Sequence, residues 1–288
     1  MKEQKYILNN PESFNLEHIF ECGQCFRWNK QEDGSYTGVF KGNVINVSKD
    51  GENYIFKGIC NGDIEEAIKE YFDLSRNYQE MKDILKKIDE SMAISIKYGE
   101  GIRLLNQDLW ETIISFIISA NNNIPRIKGI IERLSAKYGK EIIYEGKSYY
   151  TFPTPEELKN VTVEDYRKLG LGFRDVRLYE TVKAVLDGKV NFEKMNKEKD
   201  TLIVREELLT LSGVGPKVAD CILLFSTLKR IEVFPIDVWV RRVMNELYIK
   251  NPDENKVNKK EIEKVAYEKF GNLAGIAQQY LFYWKREA

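Results

Sequence analysis

Residues 208–240 constrain the fold of this chain more than any other stretch. The segment reads LLTLSGVGPKVADCILLFSTLKRIEVFPIDVWV, with two apolar helical runs on either side of an LSGVG turn. Gly213 and Gly215 let the backbone fold sharply between the two runs, because a residue without a β-carbon tolerates conformations that other residues avoid. The pattern therefore predicts two helices joined by a tight hairpin.

Two charged side chains in this stretch are candidates for chemistry. Lys217 falls in the first turn of the second helix, where the positive end of the helix dipole disfavours the ammonium form. An amine held neutral in this way is a nucleophile. Asp237 follows Pro235 at the start of a further helix, and a carboxylate there can stabilise positive charge on a sugar. The spacing alone also fits a solvated lysine beside an ordinary helical turn.

The overall charge excludes a protein that is basic as a whole. The chain has 288 residues, of which 43% are hydrophobic and 31% charged, and its formal net charge is −1. Any face that binds nucleic acid must therefore be local. Residues 121–150 and 166–189 each hold six Lys or Arg against three acidic residues, although such runs are more often solvated helix faces.

The cysteines and the N-terminal sequence bear on the compartment. Cys22 and Cys25 form a single CxxC pair, which lacks the second pair of a four-cysteine zinc site and precedes a strand pattern rather than a redox-active helix. The N-terminal residues show no signal-peptide pattern, and no apolar run approaches the length of a membrane span. We therefore expect a cytoplasmic protein with reduced thiols and no membrane partner.

The strand and helix patterns predict an α+β protein in two parts. Residues 1–60 hold short runs rich in aromatic and β-branched residues, separated by Asp-Gly and Gly-Asn turns, which predicts an antiparallel sheet. Helical patterns follow at residues 64–71 and 78–98, and the signal is helical almost throughout from Gly101 onward. We expect an N-terminal antiparallel β-sheet domain with helices at 1–99 and a helical module at 100–288, with the hairpin near 206–228.

The string LSGVGPKVAD, followed by FPIDV, closely resembles the signature of the helix-hairpin-helix, Gly/Pro-Asp superfamily of DNA glycosylases. In the lysine-bearing branch of that superfamily the lysine attacks the sugar and the aspartate assists. The resemblance implies these catalytic roles for Lys217 and Asp237. It also implies that the hairpin backbone at Gly213 and Gly215 contacts DNA.

A second group of matches resembles the base pocket of the 8-oxoguanine DNA glycosylase family. GQCFRW occupies the place of a GQ-x-FRW segment whose glycine carbonyl accepts a hydrogen bond from the extra N–H of the oxidised base, a role that falls on Gly23. Gln278 and Phe282 match residues that read and stack on the flipped base, and their spacing places both on one helix face. Cys221 matches the residue on the other face of the base. Without the resemblance, Gly23 is a turn residue and Phe282 a core residue.

A third group resembles the family's contacts around the extruded nucleotide. NNNIPR matches an element whose first asparagine, here Asn121, fills the gap in the duplex, and whose arginine, here Arg126, contacts the orphaned cytosine. LGLGFR matches an element whose aromatic residue, Phe173, wedges into the stack while Arg174 also reaches the cytosine. A planar guanidinium suits a cytosine edge. Read without the resemblance, these residues cap helices or lie on the surface.

The resemblance covers nearly the full chain in five ordered elements and implies a bifunctional 8-oxoguanine DNA glycosylase and abasic-site lyase. Its partner is double-stranded DNA containing oxidised guanine, with cytosine preferred opposite the lesion. The resemblance implies a monomer without a cofactor, a metal ion on hairpin backbone carbonyls being the one candidate ligand. The enzyme would be nucleoid-associated in a bacterium and nuclear in a eukaryote. Trp239 stands where the family commonly has a histidine on a DNA phosphate, so that contact does not carry over.

Three rival classes fit the sequence less well. An endonuclease III-type glycosylase usually carries a four-cysteine iron–sulfur cluster near its C-terminus, and only Cys221 lies beyond residue 60 here. The alkylation-repair branch typically lacks the lysine. A non-catalytic module that uses the hairpin to grip the DNA backbone has no need of the Lys217–Asp237 pair.

Overall fold

The N-terminal part of the chain forms the predicted antiparallel sheet. The computed structural model describes residues 2–253 and 256–287. Its first sheet has five antiparallel strands in the spatial order β1-β5-β4-β3-β2: β1 Lys2–Leu8, β2 Trp28–Lys30, β3 Tyr36–Phe40, β4 Asn43–Asp50 and β5 Asn53–Cys60. β1 was not predicted, because this edge strand is rich in charged residues and buries no side chain fully. The strand predicted at residues 25–28 begins only at Trp28.

An aromatic cluster on one face of the sheet makes the core of this part. The helices α1, Leu16–Phe20, and α2, Ile64–Tyr71, supply residues to it. Phe20 stacks on Trp28 with ring centroids 4.2 Å apart. Gly38 lies under the same indole, where a β-carbon would sit 2.3 Å from the ring. The bulk of Trp28 therefore requires a glycine on the neighbouring strand.

The remainder of the described chain is helical apart from one hairpin. The hairpin pairs β6, Glu141–Tyr144, with β7, Lys147–Tyr150. The helices are α3 Tyr78–Lys86, α4 Glu90–Tyr98, α5 Leu109–Ser119, α6 Ile124–Tyr138, α7 Val163–Lys168, α8 Asp175–Leu186, α9 Phe192–Lys197, α10 Thr201–Leu209, α11 Pro216–Phe225, α12 Val238–Met244, α13 Lys259–Phe270 and α14 Ala274–Glu287. Within residues 2–253 and 256–287, no helix is long and apolar enough to cross a membrane.

Local capping and turn chemistry explain most departures from the prediction. The single helix expected at residues 78–98 is two helices, because Asp89 caps α4 by accepting from the Met92 N–H. The β6–β7 hairpin was not predicted; Glu145 and Gly146 both adopt positive φ in its two-residue turn. In the helical hairpin, the first helix, α10, was predicted to start at Glu206. It begins five residues earlier, after the cap Asp200.

The packing of the helices brings parts of α11, α12 and α14 close together. α5 is buried along almost its whole length, and Phe116 on it stacks on Phe225 of α11 with ring centroids 5.6 Å apart. α14 packs against α4 and α12. The N-terminal ends of α11 and α12 and the middle of α14 thus surround a single region.

A buried glutamine joins the sheet to the helical body. The Gln24 amide nitrogen donates to the carbonyls of Ile19 and Arg103, and its oxygen accepts from the Leu105 N–H. Gln107 donates in turn to the Gln24 carbonyl. The side chains of α3 and α4 already belong to the helical core. The boundary at residues 99–101 stays a prediction.

Replacing Gln24 with leucine should destabilise the protein strongly, because a side chain of similar size would leave the Arg103 carbonyl and the Leu105 N–H buried without partners and the Ile19 carbonyl with only the Cys22 thiol. Each such group costs roughly 1–3 kcal/mol. We expect the free energy of unfolding in urea to fall by about 2 kcal/mol or more. Gln31→Leu is the control: Gln31 makes one exposed hydrogen bond to Asn29, and its loss should cost under about 0.5 kcal/mol. Equal effects of the two substitutions would contradict this account.

Candidate active site at the helical hairpin

The two glycines of the hairpin have different roles. Gly213 has φ +84°, and a β-carbon there would lie 2.9 Å from Cδ of Arg177, so the turn requires glycine. Gly215 has φ −91° and ψ 178° as the N-cap of α11, a conformation open to any residue. The expectation that Gly215 serves the sharp turn is therefore wrong. A β-carbon at Gly215 would meet nothing within 4 Å, so the hairpin backbone is open to an approaching group.

Lys217 lies in the first turn of α11, as predicted, but its electrostatics differ from the prediction. Its Nζ is 5.4 Å from the centroid of the Phe116 ring. Burial lowers the pKa of Lys217, yet Cys221 and Asp237 outweigh burial and raise that pKa above its ordinary value. The expectation that the helix start keeps this amine neutral is thus wrong. The ammonium must lose a proton before it can act as a nucleophile.

Asp237 is both a helix cap and a neighbour of the lysine. Its Oδ1 accepts a hydrogen bond of 2.8 Å from the Val240 N–H at the start of α12. The same carboxylate favours the charged form of Lys217. The capping role and the electrostatic role therefore coexist in one side chain.

One cavity of about 40 Å³ brings together six of the residues singled out in the sequence. Gly23 stands on one wall with φ +81°, where a β-carbon would lie 3.2 Å from the Phe282 ring. The pKa of Cys221 is raised by burial to about 11 despite the nearby lysine. The six residues come from the N-terminal segment, α11, α12 and α14, and they are Gly23, Lys217, Cys221, Asp237, Gln278 and Phe282.

Gln278 carries an unsatisfied acceptor on the cavity wall. The residue is 4% exposed, and its Oε1 has no hydrogen-bond partner among the residues that the structure describes. A buried acceptor without a partner costs roughly 1–3 kcal/mol. Such a group at a cavity is suited to accept a hydrogen bond from a ligand.

Five further residues line the same cavity and were not assigned a pocket role from the sequence. Gln279 is the most informative of them, because its Nε2 donates to the Cys22 carbonyl and so ties α14 to the segment that carries Gly23. No local signal distinguishes Gln279 from a core residue of an apolar helix. The aromatic residues were hidden in fully apolar runs. The five are Cys22, Phe116, Phe225, Pro235 and Gln279.

The residues predicted to surround an extruded nucleotide divide into exposed and buried ones. Asn121 is exposed with φ +52°, and Phe173 is 54% exposed. Arg126 is exposed, and its Nη2 donates to the Gly170 carbonyl at 3.2 Å. Arg177 packs its stem on Gly213 and holds its guanidinium 5.0 Å from the Phe173 ring centroid. Phe173 therefore stands next to the hairpin.

Arg174 is not the surface arginine of the simpler interpretation. It is 1% exposed, and its guanidinium donates to the backbone carbonyls of Ala120, Asn121 and Leu171. These bonds hold the loop before α6 against the turn before α8. A contact from Arg174 to a base stays a prediction, while its structural role is plain.

Trp239, which replaces the histidine common in the family, and His18, the single histidine of the chain, have clear surroundings. Trp239 is 38% exposed, and the Arg242 guanidinium lies 5.4 Å from its ring centroid. His18 accepts at Nδ1 from the Gly101 N–H and contributes to the junction rather than to the site. No group of three or more His, Cys, Asp or Glu in the described ranges is arranged to hold a metal ion.

Replacing Cys221 with alanine should lower the pKa of Lys217, because it removes a neighbour that favours the ammonium. The pKa is measured by NMR titration of the reductively ¹³C-methylated lysine, assigned with Lys217→Gln. Cys60→Ala is the control, since Cys60 is buried in the core of the sheet. A Lys217 pKa that stays the same or rises in Cys221→Ala would show that Cys221 does not favour the charge.

Comparisons with known proteins agree with this arrangement. Residues 6–113 match a family model described as the N-terminal domain of 8-oxoguanine DNA glycosylase, and residues 114–269 match one described as an HhH-GPD superfamily base excision DNA repair protein. The chain is 31% identical to an N-glycosylase/DNA lyase of Saccharomyces cerevisiae, over 95% of this chain and 84% of the yeast protein.

A solved structure extends the similarity to the whole fold. The 8-oxoguanine glycosylase/lyase of Clostridium acetobutylicum, in complex with double-stranded DNA containing cytosine opposite 8-oxoguanine, superposes with a TM-score of 0.93 at 44% identity. The alignment covers 99% of this chain and 97% of the clostridial one. This chain therefore belongs to the HhH-GPD superfamily of base excision DNA repair proteins, and within it to the 8-oxoguanine DNA glycosylase family.

Proposed function

We propose that this protein excises 8-oxoguanine from duplex DNA, with cytosine preferred opposite the lesion, and then cleaves the abasic site by β-elimination. The observation that carries the proposal is the cavity where Lys217 and Asp237 meet Phe282, Cys221 and the unsatisfied Gln278 oxygen. The yeast and clostridial relatives are glycosylase/lyases by name. The rival endonuclease III and alkylation-repair classes do not account for this set of residues.

The chemistry begins when the target nucleotide leaves the base stack, since no group of the enzyme reaches its sugar within the duplex. Lys217 first loses a proton, then attacks the anomeric carbon, and the bond to the base breaks with its electrons on the base. Asp237 stabilises the positive charge that develops on the sugar. The anomeric carbon then carries both the lysine nitrogen and the ring oxygen, and a Schiff base forms when its bond to the ring oxygen breaks and that oxygen takes up a proton. The Schiff base makes the neighbouring sugar proton acidic, and loss of that proton expels the 3′ phosphate by β-elimination and nicks the strand.

The same cavity selects the base. Phe282 and Cys221 flank it, the Gln278 oxygen accepts from its edge, and the Gly23 carbonyl accepts from the N–H that only the oxidised base carries. Guanine presents a lone pair at that position, so it would leave the Gly23 acceptor unpaired. The cavity holds about 40 Å³.

Several further assignments stay predictions alongside this function. The enzyme works without a cofactor, and no step above depends on a metal ion at the hairpin carbonyls. Asn121 fills the gap in the duplex and Phe173 wedges beside it, while the backbone at Gly213 and Gly215 contacts the DNA. The protein acts as a monomer in the cytoplasm, on the nucleoid in a bacterium, or in the nucleus of a eukaryote.

The decisive experiment traps the Schiff base. Sodium borohydride should link the wild-type protein covalently to a duplex that contains 8-oxoguanine, because it reduces the lysine imine. Lys217→Gln should abolish trapping and excision while the protein still binds the duplex. Lys69→Gln is the control, since Lys69 is an exposed residue of α2 paired with Glu65. Trapping that persists in Lys217→Gln would place the nucleophile elsewhere, and a wild type that neither excises nor is trapped would refute the proposed function.

Arg126 is expected to read the cytosine opposite the lesion. The edge of an unpaired cytosine has two acceptors that suit a guanidinium, whereas adenine offers one acceptor beside a donor. A good base contact is worth about 1–3 kcal/mol, so the wild type should prefer cytosine over adenine by roughly tenfold or more. In Arg126→Ala this preference should narrow, as measured by single-turnover excision against all four opposite bases.

A uniform loss in Arg126→Ala across the four partners would contradict the cytosine contact, because it is the behaviour of a phosphate contact. Arg133→Ala is a matched control on the same helix. Arg133 donates to the Leu169 carbonyl, whereas Arg126 donates to the adjacent Gly170 carbonyl. Arg133→Ala should therefore leave the order of preference among the four bases unchanged.

A further inference from the structure

Arg286 contacts two walls of the base cavity without lining the cavity itself. It lies one helical turn after Phe282 on α14, and its guanidinium is 5.1 Å from the Phe282 ring centroid. From the same group, Nη2 donates to the Glu21 carbonyl. The side chain is only 15% exposed, with Nε paired to Glu287 at 2.7 Å. Arg286 thus bridges α14 and the segment that leads into Gly23.

Arg286 also packs closely against Gly23. A β-carbon at Gly23 would lie 3.2 Å from Nη1 of Arg286 and 3.2 Å from Cε1 of Phe282. The arginine and the phenylalanine therefore pack side by side over the same glycine. The spacing between Gly23 and the Phe282 ring depends on where Arg286 holds them.

The two walls are held by different kinds of contact. The Cys22–Gly23 wall is held by the buried amides of Gln24 and Gln279. Phe282 is half-buried and packs at the edge of the helical core. Because Arg286 stacks on this ring and is anchored to Glu21, it determines how far the ring can swing.

We propose that Arg286 is a positioning residue for base selection: it couples the Phe282 ring to the Glu21–Gly23 segment, so that the ring stacks on a base only when the base edge reaches Gly23. This inference rests on the proposed function. Neither a lysine nor a truncated side chain can do the same, because the planar fork donates to a carbonyl and stacks on a ring at once.

The test compares two substrates of the same enzyme. Arg286→Ala and Arg286→Met remove the guanidinium, and Met retains an unbranched stem. In both variants the single-turnover rate of 8-oxoguanine excision opposite cytosine should fall about tenfold. The enzyme concentration that gives half of the maximal rate should rise. Cleavage of a duplex with a preformed abasic site should stay within about twofold of the wild type, because that substrate has no base to position. Arg286→Lys should recover only part of the excision rate.

The control variant is Lys285→Ala, which removes the neighbouring cation of α14. Lys285 pairs with Glu246 and takes no part in the cavity, so both activities should be retained. Equal losses on the two substrates in Arg286→Ala would mean that the residue only stabilises the last helix, and would overturn the inference. Unchanged excision in Arg286→Ala would overturn it as well.

A double mutant shows whether Arg286 acts through the ring. In a Phe282→Ala background, Arg286→Ala should cause no further loss of excision, since residues that act as a unit are not additive. Losses that multiply would refute the coupling. A wild type that excises no 8-oxoguanine would instead count against the proposed function, so the two failures are distinguishable.

Discussion

The site depends on the buried amide of Gln24, because that residue fixes the sheet domain against the helical body. Its side chain satisfies two carbonyls and one N–H that no water reaches, and the cost of unpairing them makes the junction rigid. Gly23 precedes Gln24 directly. The wall that carries Gly23 is thereby placed opposite Gln278 and Phe282, which are more than 250 residues away in the chain.

The electrostatics of Lys217, the proposed nucleophile, follow from the same close packing. Lys217 lies in the first turn of α11, Cys221 lies one turn further along that helix, and Asp237 directly precedes α12. Together Cys221 and Asp237 favour the ammonium more strongly than burial opposes it. Charge at Lys217 suits recognition of an anionic strand, whereas attack on the sugar needs the free amine. Asp237 also caps α12. Asparagine caps a helix about as well as aspartate, so Asp237→Asn would separate the charge from the cap.

The sequence predicted features that depend on neighbouring residues in the chain, such as helix bounds. It did not predict features that depend on residues brought together by folding, such as the pKa of a buried side chain. The bounds of α2 agree with prediction, because the cap Asp63 and a clear apolar period are local signals. Lys217 and Asp237 were candidates from their positions in the sequence, whereas the other four cavity residues were found through the family resemblance. The raised pKa of Lys217 was missed, since it reflects neighbours that only the fold brings close. The prediction that Gly215 serves the sharp turn was wrong for a similar reason, because the sequence alone does not determine its φ angle.

Arg126 and Arg174 were both expected at the orphaned cytosine, but the structure buries only Arg174, so the two side chains have different roles. The Arg174 guanidinium donates to three backbone carbonyls and thereby holds the loop that contains Asn121. Arg126 is exposed and makes a single bond to the Gly170 carbonyl, so most of its donors remain available to a partner. Of the two arginines, Arg126 therefore keeps the donors that a contact with an opposite base needs, and its role in reading cytosine stays a prediction.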